Sequence, residues 1–97
     1  MKNRIEKETL TIFMEGKINS YNAEDVEKEI DDILQKNEFT AIRINMADVE
    51  YISSAGLRII VRIKQQYEDT VLVEVPKGVY DIFEMVGFPN LIKIERK

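Results

Sequence analysis

The chain has 97 residues, with 14 lysines and arginines against 18 aspartates and glutamates, for a net charge of −4. At 44% hydrophobic and 33% charged residues it has the composition of one folded domain, not of a disordered segment. Cysteine and histidine are both absent. That removes disulfides, thiolate chemistry, the common metal ligands and the usual general base, and the acidic balance argues against nucleic acid, whose phosphates need a basic face.

From the N-terminus, Lys2–Glu6 reads as a short strand and Lys7-Glu8 as a polar turn. A second strand follows, with Leu10, Ile12 and Met14 on one face, Thr9, Thr11 and Phe13 on the other, and Gly16 expected to end it. Asn22 is placed to cap the next segment, with Asp25 three residues on as in a capping box. Ala23, Val26, Ile30, Ile33 and Leu34 then keep helical spacing, so 23–36 is expected to be an amphipathic helix. Its other face carries Glu24, Asp25, Glu27, Glu29, Asp31 and Asp32, a pattern that reads as a solvated surface. Thr40–Met46 alternates as a third strand, 54–67 reads as a helix, and Thr70–Val75 as a fourth strand. Pro76 and Gly78 precede a helix over 79–86, Gly87 stands where a C′ glycine stops a helix, and Leu91–Ile94 makes a last strand.

After the opening hairpin the order is strand–helix repeated, which predicts a single α/β domain over 1–97 with a mixed, mostly parallel sheet of four to five strands. Right-handed crossovers place a ligand or partner site beyond the carboxyl ends of the parallel strands. Two segments lie there: Gly16–Asn22, "GKINSYN", and Tyr51–Gly56, "YISSAG". No apolar stretch approaches the ~20 residues that span a bilayer, and Met1–Leu10 lacks the apolar region of a secretory signal. The expectation is a cytoplasmic protein without membrane insertion, cofactor or metal.

Ser53 and Ser54 admit two readings. A serine before an amphipathic helix commonly caps it, and losing such a cap costs ~1 kcal/mol. Ala55 and Gly56 would then let the first turn lie close to a strand. Alternatively, an exposed hydroxyl at a helix N-terminus is a good place for a phosphate, because free N–H groups and the positive dipole end stabilise the added charge. A nucleophilic serine is excluded, since there is no Gly-x-Ser-x-Gly elbow and no histidine to take its proton. A P-loop is excluded as well. These absences predict a binding or switching module and no enzyme.

"ADVEYISSAGLRII" resembles the signature of STAS domains, the family of bacterial anti-sigma factor antagonists and of the cytoplasmic tails of anion transporters. "MEGKINSYNAEDVEKEI" resembles that family's strand, glycine and loop into its first helix, and "VYDIFEMVGFPNLIKI" its last helix and strand. The resemblance implies a partner switch: binding to an anti-sigma factor with serine kinase activity, release by phosphorylation, and restoration by a PP2C-type phosphatase. The matching phosphoacceptor is Ser54. Ser53 and Asn19 stand where the family commonly has aspartates, and the chain is expected to lack the terminal helix of longer members. The implied partner surface comprises Asn19, Ser20, Ser53, Ser54, Ala55, Gly56, Arg58 and Arg62, with Arg58, Arg62 and Lys64 forming a basic flank able to steer an acidic partner. The alternative is an unphosphorylated STAS interaction subunit of a transporter, lipid-trafficking or signalling complex.

Overall fold

The computed structural model describes residues 1–97. A hairpin of β1 (Lys2–Glu6) and β2 (Thr9–Ile18) opens the chain. Its two-residue turn puts Lys7 at φ 47° and Glu8 at φ 67°, the left-handed backbone that a tight hairpin requires, here without a glycine or asparagine. There follow α1 (Ala23–Lys36), β3 (Ala41–Ile52), α2 (Ser54–Gln66), β4 (Thr70–Val75), α3 (Lys77–Met85), a 3-10 turn (Phe88–Asn90) and β5 (Lys93–Arg96). The sheet runs β1-β2-β3-β4-β5, antiparallel only at β1.

Neighbouring parallel strands are consecutive in sequence, so every crossover turns the same way and the helices collect on one face. The core reflects this. Leu10, Ile12, Met14, Ile42, Ile44, Met46 and Leu72 share one cluster with Ile30, Ile33 and Leu34 of α1, Ile59, Ile60 and Ile63 of α2, and Val79 and Phe83 of α3. Each fully buried side chain of this kind contributes roughly 1.5–3 kcal/mol. By alternation the opposite face carries Thr11, Phe13, Arg43, Asn45, Val71 and Val73. There Phe13 is bracketed by Lys2 Nζ and Arg4 Cζ at 5.3 and 5.8 Å from its ring centre.

Several boundaries differ from the sequence expectation, four of them for a visible structural reason. Gly16, at φ 74°, does not end β2, which runs on to Ile18. β3 continues past Met46 to Ile52. Pairing shifts from Phe13↔Asn45 to Glu15↔Asp48, and from Gly16↔Val49 to Lys17↔Tyr51, so β3 takes up an extra residue at each step. Those bulges break the period of two while the ladder goes on. α3 starts at Lys77 because Pro76, extended at ψ 155°, occupies its N-cap position. β5 starts at Lys93 because Leu91 and Ile92 donate back to Phe88 O, closing the 3-10 turn instead of extending.

Candidate functional site

The extra length of β2 and β3 builds the site. Their ends lie side by side at Ile18↔Ile52, and Ser53 N donates to Ile18 O at 2.8 Å. The loop before α1 and the start of α2 are thereby joined at one edge. Gly56 sets how closely they approach: a Cβ there would lie 2.6 Å from Ile52 Cγ1 and 2.8 Å from Ile18 Cγ2. Gly56 is buried. This corrects its expected place on a partner surface, because its role is to let α2 rest on the strand ends.

The loop Asn19–Asn22 is locked by its two asparagines. Asn19 Oδ1 accepts from Tyr21 N at 2.9 Å and Asn22 N at 3.2 Å. Asn22 Oδ1 accepts from Asn19 N at 2.9 Å, and Asn22 Nδ2 donates to Lys17 O at 2.7 Å. Asn22 does occupy the N-cap position of α1, but its side chain makes no cap bond to the helix. The capping-box expectation with Asp25 is corrected accordingly: the carboxamide is used up in closing the loop. Asn19 is half-buried, while Ser20 and Tyr21 point into solvent.

The two serines separate. Ser53 is the N-cap residue of α2, and its carbonyl accepts from Leu57 N at 2.9 Å. Its hydroxyl is buried and has no hydrogen-bond partner, so the side-chain cap read from sequence does not form. Ser54 is the first helical residue and is exposed. The first turn of α2 contains no acidic residue, so nothing of negative charge within it opposes an anion at Ser54.

Between α1 and α2 runs an open groove of about 420 Å³, lined by Ser20, Ala23, Glu24, Ala55, Arg58 and Ile59 and closed by Glu27 and Arg62. Arg58 is exposed and has no carboxylate within ion-pair distance. Arg62 is engaged. Its Nε donates to Glu27 Oε2 and a terminal nitrogen to Asp31 Oδ1, both at 2.7 Å, and the other terminal nitrogen to Gln66 Oε1 at 3.0 Å. Burial alone would lower the guanidinium pKa, but its hydrogen bonds to Asp31 and Glu27 and their charge outweigh this and hold it above the usual value. Lys64 donates to Glu68 O. The basic flank expected from sequence therefore reduces to Arg58, and the acidic face of α1 is not all solvated, since Glu27 and Asp31 clamp α2. Sequence reasoning missed this clamp and the asparagine lock. The clamp depends on which segments meet, which spacing along one chain does not report, whereas the lock is local and closes between residues two to five apart.

No group of three His, Cys, Asp or Glu side chains gathers to hold a metal, and no helix is long and apolar enough to cross a membrane. The STAS domain model matches residues 1–97, the whole of the described fold. The chain belongs to the STAS family. As a STAS domain it is 30% identical over 90 residues to the anti-sigma-B factor antagonist of Listeria monocytogenes, a match covering 89% of this chain and 78% of the relative. Its fold superposes on an anti-sigma factor antagonist from Mycobacterium paratuberculosis with a TM-score of 0.85 at 15% identity, covering 99% of this chain and 84% of the other. The anti-sigma factor antagonist SpoIIAA in its unphosphorylated form gives 0.74 at 17% identity, covering 96% and 85%. These relatives and fold neighbours all bear the name anti-sigma factor antagonist.

Proposed function

We propose that this STAS domain binds an anti-sigma factor with serine kinase activity through Asn19, Ser20, the Ser53–Ser54 loop, Ala55 and Arg58, and that phosphorylation of Ser54 ends the complex. The observation that carries the reading is Ser54 itself, an exposed residue that opens a 13-residue helix and directly precedes Ala55 of the groove lining. A phosphate adds about −1.5 to −2 charges, and the helix dipole contributes roughly 0.3–1 kcal/mol toward holding them. Arg58, one turn on and free of other partners, faces the same way as a side chain four residues along. The modification therefore costs the fold little. A partner packed on the loop, by contrast, must bury or expel a near-dianion. SpoIIAA, which shares the fold, exists in both unphosphorylated and phosphorylated forms.

On this reading the protein is a cytoplasmic regulator and not an enzyme, in line with the regulatory names of its relatives. A phosphatase, of the PP2C type in the scheme the family implies, restores the binding form. The test is incubation with the purified anti-sigma kinase of its own genome and ATP, followed by mass spectrometry. Phosphate on Ser54, absent from Ser54→Ala, is expected. An unmodified Ser54 under conditions where the kinase turns over would overturn the switch.

A further inference from the structure

Among the large apolar side chains left at the surface, Tyr21 is the most exposed, at 94%. Met85, at 86%, is the last residue of α3 and leads out of it, whereas Tyr21 sits on backbone fixed from both sides. Its own N–H is held by Asn19 Oδ1, the next N–H by the same oxygen, and the Asn22 carboxamide ties Asn19 N to Lys17 O. The backbone is immobilised while the ring is left almost wholly in water. No contact within this chain accounts for placing an aromatic ring there.

A ring presented this way has what a binding anchor needs. Tyrosine offers a large apolar face and a hydroxyl with only two side-chain torsions to freeze, and a preorganised loop lowers the ordering cost of association. Its sequence neighbours Ser20 and Ala23 line the groove that holds Ala55, Arg58 and Ile59. We propose that Tyr21 is the aromatic anchor of the partner interface, its ring entering an apolar cleft on the anti-sigma factor. This rests on the anti-sigma antagonist reading above. The surroundings specify that cleft further. Asp25, exposed and unpaired in the first turn of α1, calls for a cation on one rim, and the unpaired Arg58 calls for a carboxylate on the other. The phenol hydroxyl requires a hydrogen-bonding group at the cleft floor.

The experiment is calorimetric titration of the full chain against each purified serine-kinase-type anti-sigma factor of its own genome. Tyr21→Ala is expected to raise Kd about 30-fold or more, as loss of an interface hot spot does. Tyr21→Phe keeps the ring and is expected to stay within about tenfold. Leu91→Ser removes another exposed apolar side chain, on the opposite flank of α2, and is expected to leave Kd unchanged. Thermal unfolding of Tyr21→Ala should match the wild type, so that weaker binding is not a folding defect. A wild-type Kd for Tyr21→Ala overturns the anchor and leaves the antagonist reading standing. Equal losses in Tyr21→Ala and Leu91→Ser overturn it too, by reducing the effect to general stickiness. A wild-type chain that binds none of these factors overturns the antagonist reading, and the anchor with it.

Discussion

Ser53 and Ser54 are adjacent in sequence and opposite in environment, and their substitutions should separate accordingly. Ser53 buries a hydroxyl with no partner, and such a group carries a desolvation cost of roughly 1–3 kcal/mol. Ser53→Ala removes that cost along with the oxygen. It is expected to leave the chain at least as stable as the wild type, where loss of a working cap would cost ~1 kcal/mol; urea unfolding distinguishes the two. Ser54 is exposed, so Ser54→Asp should unfold within about 0.5 kcal/mol of the wild type yet lose the partner in a pull-down, while Ser54→Ala keeps it. Gly56 behaves differently again. Gly56→Ala forces a methyl against Ile52 and Ile18 and should cost about 1–3 kcal/mol as overpacking, measurable as a lower urea midpoint. The sequence made the serines and the glycine conspicuous and correctly suggested that Ala55-Gly56 lets the first turn lie close to a strand. It could not tell which hydroxyl faces water, because that depends on the bulges that set the phase at the end of β3.

At the scale of elements, the spacing of apolar residues marked the helices and the strands from β2 onward wherever the period held, while β1 is exposed along its whole length. It failed where β3 absorbs extra residues opposite Glu15 and Lys17, and where the Phe88–Asn90 turn delays β5. The meeting of α1 and α2 was not legible at all. Glu27 and Asp31 stand four residues apart on α1, a like-charge spacing that costs roughly 0.2–0.5 kcal/mol when left alone. Arg62 from α2 bridges both. The side chains are about a third exposed (Arg62 32%, Glu27 37%, Asp31 42%), so solvent discounts each pair to roughly 0.2–1 kcal/mol. Arg62→Met, which keeps the stem and drops the charge, is therefore expected to cost about 0.5–2 kcal/mol at low salt once the exposed repulsion is included. The difference from the wild type should shrink at ~1 M salt, where the Debye length falls to about 3 Å. The raised guanidinium pKa means that its contribution is fully present below the usual arginine value and is lost only in strong alkali. Salt, and not mild pH change, is thus the variable that tests the clamp from the arginine side.

The whole molecule has one core of 21 buried residues beneath three helices on a single face of the sheet, and the site lies at the rim of that core, sharing Ile59 with it. This geometry predicts that folding and binding can be damaged independently. Phe83 is fully buried and stacks on Phe88 with ring centres 5.2 Å apart and planes 7° from parallel, so it holds α3 and the 3-10 turn to the sheet together. Phe83→Ala should cost about 3–5 kcal/mol, a large share of the roughly 5–15 kcal/mol available to a small domain. With a single core the loss has no second unit to confine it, and unfolding should remain one cooperative transition moved to lower temperature. Binding should then fall only by the fraction unfolded, and return in full on cooling to where the variant is folded. Ser54→Asp is the converse case, with melting unchanged and binding lost at every temperature. Melting and partner titration, run on both variants across the same temperatures, check the contrast. If Phe83→Ala bound poorly while fully folded, the groove would depend on α3 packing, and the separation of rim from core argued from the buried cluster would fail.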